Sequence, residues 1–458
     1  MENIKLIPII KKYSTKTIIK IDEMRRKQMT LFLISLLLII SNGQAQEKLS
    51  LSIEQAKEQA LNYNRTIKNS GLAIDKSQET LWAAIAAGLP HVDATADYSN
   101  AMGAEISIQF DENMPASKIP IKPSSNFNLR LGQLLFNGSY IVGIQTAKLA
   151  KQLSEKSLEK TEQDVLSQVI ESYYLILVSK ESLDILQNNT NNLQEIYRKT
   201  EPMVKVGMIE KVELDQLQVQ VNSLDNALKS AERQYEMSKN LMRVLLGVSA
   251  ETELELTQPL NGFLHESHVA LAGTAFEPVQ NLDFQLLTVQ EKITKKQIDM
   301  QKTAYLPTIT GYYNFTKKIL KPAFDMSPAH MIGMQMNIPV FSSGERQAKV
   351  KQAKIDLETM KNNKALMEEQ LEIQYKQLQF NLKNALESFE TQQKNVEVSR
   401  EVYQNLKRKY EQGMISSLEL TTADSNYLQA ESDYLMSVLG VLQSRNALDT
   451  LTGKIINN

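Results

Sequence analysis

Gly207-Met208-Ile209-Glu210-Lys211-Val212-Glu213-Leu214 returns as Gly413-Met414-Ile415-Ser416-Ser417-Leu418-Glu419-Leu420, 206 residues further on. The alignment continues without a gap to Gly247 and Gly453, and nine of its 41 paired positions are identical. A repeat this long is a whole structural half rather than a small solenoid unit. After the first glycine, Leu214, Leu217, Val221, Leu224, Leu228, Ala231 and Tyr235 recur at alternating steps of three and four, the seam of a coiled coil. After the second, Leu420, Ala423, Tyr427, Ala430 and Tyr434 repeat that spacing. Long helical stretches without proline precede both glycines, at about 142–201 and 345–411. A stretch of ~60 helical residues spans ~90 Å. A glycine between two such helices reads as the tip of a hairpin, since it admits positive φ.

Working outward, each half carries strand patterns ahead of its hairpin. Residues 48–88 read as helical, with Ser52 as a cap before Glu54 and Gln55, and Leu89-Pro90 ends the segment. Val92, Ala94, Ala96 and Tyr98 then alternate with Asp93, Thr95 and Asp97, which is period two with one polar face (strand about 91–99). Residues 99–125 read as a loop, and a second strand follows at about 126–136, ending at Phe136-Asn137-Gly138. Helices are expected at about 142–201 and 208–246, then an irregular polar connector over 248–280. The second half repeats the order. A helix over 281–304 ends at Leu306-Pro307, strands follow at about 308–316 and 331–341, and the second ends at Phe341-Ser342-Ser343-Gly344. Helices at about 345–411 and 414–451 complete it. The units are therefore 46–247 and 281–458, joined by 248–280.

The N-terminus has the pattern of a secretory leader. Met24-Arg25-Arg26-Lys27 is basic, Leu31–Ile40 is a run of ten apolar residues, and Gly43-Gln44-Ala45 is a small-x-small cleavage site. Ten apolar residues are too few to span ~30 Å of hydrocarbon, so residues 1–45 read as a signal peptide. Its basic region is long, and Met24 and Met29 are alternative starts. Without 1–45 the net charge is −7, which argues against nucleic acid as a partner. The chain has no cysteine and four histidines, which excludes a disulfide framework, a thiolate nucleophile and an acyl-anchored N-terminal cysteine.

Four strands, each with an apolar and a polar face, cannot stand alone in lipid. Their edges would leave backbone groups unpaired at several kcal/mol each, and bacterial barrels need at least eight strands. If the strands are embedded, the barrel is shared between chains. The narrow helical seams with long polar faces suit a hollow, water-filled assembly.

With its leader, two Leu-Pro junctions, two Phe-x-(x)-Gly strand ends and duplicated glycine tips, the chain resembles the TolC-like outer-membrane efflux proteins over essentially all of residues 46–458. The resemblance implies a mostly α fold with membrane β strands in two tandem repeats. It implies a homotrimer whose chains share a β-barrel of about 12 strands in outer-membrane lipid, with a long helical coiled-coil barrel across the periplasm. A periplasmic adaptor and an inner-membrane transporter of RND, ABC or MFS type would be partners, and the duct itself would be passive and porin-like, with neither catalysis nor cofactor. The rival readings are a periplasmic adaptor, which has a single hairpin in a β-rich body, and a secreted hydrolase or metalloenzyme, for which no nucleophile, base or ligand cluster is present.

The resemblance also assigns roles. The tips Val206-Gly207-Met208 and Gly413-Met414-Ile415 would dock the adaptor, with methionine where the family has leucine. Glu213 and Glu419 stand where the family often has aspartate at the periplasmic aperture. A further family aspartate is Thr422 here, for which nearby Asp424 would compensate. A ring of carboxylates attracts cations and resists closure. His330, Met331, Met334 and Met336 read as strand residues rather than a soft-metal site, His265-Glu266-Ser267-His268 as a surface loop, and Tyr98, Tyr312 and Tyr313 as members of an aromatic girdle.

Overall fold

The computed structural model of the chain describes residues 48–109, 116–263, 276–320 and 327–457. The leader 1–45 and the His265–His268 stretch lie outside the described residues. One small unit holds a ribbon in which strand β1 (Lys48–Leu51) pairs with β6 (Glu253–Leu256), joined by Ser50 Oγ donating to Glu255 Oε2 at 2.9 Å. Both strands fall where helix or irregular chain was expected. At four residues each they are too short for an alternating pattern to register.

The large unit begins with helix α1 (Ile53–Tyr63), started by a reciprocal capping box between Ser52 and Gln55. The expected single helix breaks at Asn64, whose side chain caps α2 (Arg65–Ala86) by accepting from the N–H groups of Thr66 and Ile67. After Leu89-Pro90 comes β2 (His91–Ser99). The expected loop over 99–125 contains two short paired strands, β3 (Glu105–Ile108) and β4 (Ser117–Pro120). Then β5 (Ser124–Phe136) leads into α3 (Gly138–Lys205). That helix outruns its expected end at 201. Pro202 removes only its own N–H, and its carbonyl still accepts from Val206 N–H at 3.2 Å. The first return helix is α4 (Lys211–Leu246).

The second half repeats the plan: α5 (Leu282–Thr303), β7 (Thr308–Lys318), β8 (His330–Asn337), α6 (Glu345–Glu411) and α7 (Ser417–Leu451), then a short α8 (Lys454–Asn457). The connector expected to be irregular also holds two 3-10 turns, Leu260–Phe263 and Pro278–Gln280. Strand β8 stops short of the expected 341 because Pro339 has no N–H to continue a ladder.

Four strands form one antiparallel sheet in the order β2-β5-β7-β8. Register sorts its two faces cleanly. Val92 stands opposite Leu131, Ala94 opposite Leu129, Leu129 opposite Phe315, and Ile309 opposite Met336. On the other face Asn126 and Asn128 donate to the Asp97 carboxylate at 2.9 and 3.0 Å, Thr316 donates to Asn128 at 2.9 Å, and Arg130 lies 5.6 Å over the Tyr312 ring. One face is thus fit for lipid and the other for water, and both edges of the sheet are open.

Among the helices, α3 packs along α4 and α7, and α7 along α6, so α3 and α7 are the inner pair and α4 and α6 the outer. Helix α2 lies on α3, and α5 packs on both α3 and α6. The seam residues Leu217, Leu224, Leu228, Leu420, Ala423 and Ala430 are all buried. Among the described residues no helix is long and apolar enough to cross a membrane.

Candidate functional site

The two hairpin tips are closed by the same pair of backbone bonds. Helix α3 ends on Val206; Gly207, at φ +76°, donates to Val204 O at 3.0 Å, and Met208 N–H reaches back to Met203 O at 2.9 Å. Helix α6 ends on Gln412; Gly413, at φ +70°, donates to Tyr410 O at 2.8 Å, and Met414 N–H reaches Lys409 O at 2.9 Å. This pair of bonds is the Schellman closure, and it needs a residue that tolerates the left-handed region. A Cβ on either glycine would meet nothing within 4 Å, so conformation and not space selects glycine here.

The tip side chains divide. Val206, Met208 and Met414 are exposed at 70, 75 and 67 %. Ile415, grouped with them by sequence, instead packs against a buried cluster. That cluster draws on four helices: Leu193 and Ile196 of α3, Leu217 and Leu224 of α4, Tyr403 of α6, and Leu420 and Ala423 of α7. It holds the two tips side by side, and polar bonds reinforce it. Thr200 and Tyr410 hydroxyls lie 2.9 Å apart, and Gln220 Nε2 donates to Ser425 Oγ at 3.3 Å.

Glu213 and Glu419, equivalent by the repeat, are in different situations. Ser417 N–H, in the first turn of α7, donates to Glu213 Oε2 at 3.1 Å, so a carboxylate of one hairpin fills an orphan donor at the N-terminus of the other. Glu419 is exposed; its N–H donates to Ser416 Oγ at 3.3 Å, and among the described residues its carboxylate has no partner.

Asp424 departs from the expectation of a free carboxylate near the aperture. It is 2 % exposed, enclosed between α3, α6 and α7. Asn189, with its amide nitrogen facing the carboxylate, donates to both oxygens at 3.2 Å, and the Tyr403 hydroxyl donates as well. Burial pushes its pKa up to about 6, against the pull of those two donors and of Lys407. Burial also raises Glu431, seven residues on, whose carboxylate accepts from Tyr427. In this packing the Asp424 carboxylate is turned into the protein and away from solvent.

A further duplicated contact was not anticipated from sequence. Asn64 Nδ2 donates to Leu245 O at 2.8 Å, and Asn281 Nδ2 donates to Leu451 O at 3.1 Å, so each half anchors its return helix to an asparagine that also caps its first long helix. The signal was present, since an asparagine precedes both helices, but only the contact with a residue far along the chain gives it meaning. On the sheet, His330 Nδ1 lies 2.7 Å from the Tyr313 hydroxyl and its ring 5.0 Å from that of Phe315. Met334 and Met336 follow on the same face about 13 and 20 Å along the strand, and Met331 faces away, a spread too wide for a common ion.

The sequence model of the outer membrane efflux protein family matches residues 56–248 and 279–454. No curated protein sequence matches at a significant level. Among solved structures, the chain superposes on the Campylobacter jejuni CmeC outer membrane channel with a TM-score of 0.71 at 17% identity, over 88% of this chain and 85% of that one. A membrane protein from Pseudomonas aeruginosa gives 0.74 at 14% identity over 89 and 94%. The open-state Neisseria gonorrhoeae MtrE outer membrane channel gives 0.68 at 16% identity over 88% of each. These likenesses concern the fold, and they lend the adaptor reading no support. With two family segments that coincide with its two hairpin-bearing halves, the chain belongs to the outer membrane efflux protein family, an exit duct of the outer membrane whose helical part lies in the periplasm.

Proposed function

We propose that the chain acts as a passive trimeric duct, opened by a periplasmic adaptor and powered by an inner-membrane transporter, with no catalysis or cofactor of its own. The observation that carries this reading is the four-stranded sheet with one lipid-fit face, one hydrated face and two open edges, which a single chain cannot stabilise in a bilayer. Three copies would close a barrel of about 12 strands. Residues 1–45 would be the export leader, 46–247 and 281–458 the two repeats, and 248–280 the link between them. The exposed Val206, Met208 and Met414, presented on Gly207 and Gly413, form the adaptor-docking surface, with Ile415 supporting it from behind. Glu213 and Glu419 sit at the periplasmic aperture. The test is the native mass of protein extracted in mild detergent from purified outer membranes. Three chains per particle are expected; a single chain, or recovery with the inner membrane, would overturn the proposal.

A further inference from the structure

Among the described residues, two apolar stripes on the outer helices are left exposed. On α6, Ile355, Leu366, Ile373, Phe380, Val398 and Val402 are exposed, and they fall within about 20° of one line at 3.6 residues per turn. On α4, Val212, Val219, Met237 and Val244 are exposed and equally collinear. The stripes run for ~70 and ~48 Å at 1.5 Å per residue. Helices α3 and α7 pair inside the chain, while α4 and α6 form its two outer edges.

The repeat says what covers them. An operation that carries the first hairpin onto the second carries α3 to α6 and α4 to α7, and it places the second hairpin where the first hairpin of a neighbouring copy would stand. The α3–α7 contact inside the chain then reappears as α6 against α4 of the next copy. Inside the chain Thr450 Oγ1 donates to Ser167 Oγ at 3.1 Å. At the 206-residue offset these two positions are Val244 and Ile373, one from each stripe. The same operation turns Glu213 and Ser417 into Glu419 and Lys211. Among the described residues neither Glu419 nor Lys211 has an ion-pair partner, and Glu210 gives α4 no side-chain cap. The pieces of a second copy of the tip bond are thus present in one chain, but on opposite outer edges.

We infer that in the assembly the α6 stripe of one copy packs on the α4 stripe of the next, with Ile373 against Val244 of that copy, and that Glu419 accepts from the Lys211 N–H at the start of the neighbour's α4. One oxygen of Glu419 then caps the helix and the other remains toward the aperture. Such a contact is heterologous and closes into a ring. It rests on the trimeric reading above and names the surfaces that build it.

The chain has no cysteine, so disulfide trapping has no background. The full-length double variant Ile373→Cys with Val244→Cys, oxidised in the outer membrane, is expected to give reducible dimers and trimers on denaturing gels. Each single variant should remain one chain. Ser167→Cys with Thr450→Cys tests the parent geometry and should close within one chain, since hydroxyls at that separation put the Cβ atoms near disulfide range. A native trimer in which the control closes but Ile373→Cys/Val244→Cys does not cross-link would overturn this pairing and leave the trimer standing. Multimers from Ile373→Cys alone would overturn it in favour of like-to-like packing. A native mass of one chain would overturn the trimeric reading itself.

Discussion

At the scale of single residues, the acidic side chains near the tips show how position along a helix fails to fix a role. Glu213, Glu419 and Asp424 lie within two aligned segments, and one is bonded to the other hairpin, one is free, and one is buried. For Asp424 the burial has a measurable consequence. Its carboxyl is raised from 3.8 to about 6, so the folded chain binds more protons than the unfolded one between those values. This group's contribution to stability is fully present below pH 4 and lost as pH rises through about 6, a cost on the order of 3 kcal/mol at neutrality. Asp424→Asn removes the titration while keeping an acceptor for Tyr403. Helix melting followed by circular dichroism should therefore show the variant gaining on the wild type as pH goes from 4 to 7.5. A difference that stays flat with pH would refute it. None of this was legible in the sequence. Asp424 reads as polar in a helix, and only the approach of Asn189 and Tyr403 from two other helices makes it buried and hydrogen-bonded.

At the scale of elements, long helices and strands could be read because each carries its own periodicity through many residues, as the seam from Leu214 to Tyr235 does. What was missed depends on contacts between distant segments. The β1–β6 ribbon joins four-residue strands some 200 positions apart, the β3–β4 hairpin hides in a stretch rich in proline and serine, and the break at Asn64 has no glycine or proline to announce it. The glycines permit a direct comparison. Gly207 and Gly247 are both left-handed, at φ +76° and +68°, but a Cβ on Gly207 meets nothing while one on Gly247 would stand 2.4 Å from Tyr63 O. Gly207→Ala should cost about 1–2 kcal/mol from backbone conformation alone. Gly247→Ala should cost clearly more, read as a larger fall in melting temperature; equal falls would mean that Tyr63 yields easily. In the tips bulk matters separately. Gly207→Trp and Gly413→Trp should leave trimers in the outer membrane yet cut adaptor co-purification at least tenfold, with Gly→Ala at both sites retaining it. Normal co-purification with both tryptophan variants would remove the tips from the docking surface.

At the scale of the whole molecule, duplication followed by divergence leaves matching positions with different partners. Within the chain the hairpins share hydrogen bonds at Ser167, Thr450, Asn446 and the Glu213–Ser417 pair, beside the buried apolar cluster around Leu217 and Leu420. The corresponding outer positions are Ile373, Val244, Asn240 and Glu419 with Lys211, apolar in place of Ser167 and Thr450 and unchanged at Asn240 and Glu419. Opening a duct at its periplasmic end requires hairpins to part there, and the Glu213–Ser417 bond is one of the contacts that must then break. Glu213 should then act as a latch. Glu213→Ala leaves Ser417 N–H without its acceptor, at a cost of about 1 kcal/mol per chain, and should raise the open fraction in single-channel recordings without changing the native mass. Glu419→Ala should do the same and, by removing the carboxylate that faces the aperture, also lower cation selectivity. If Glu213→Ala conducts like the wild type, the tip bond is a passive consequence of packing; if Glu419→Ala keeps full selectivity, its charge lies away from the ion path.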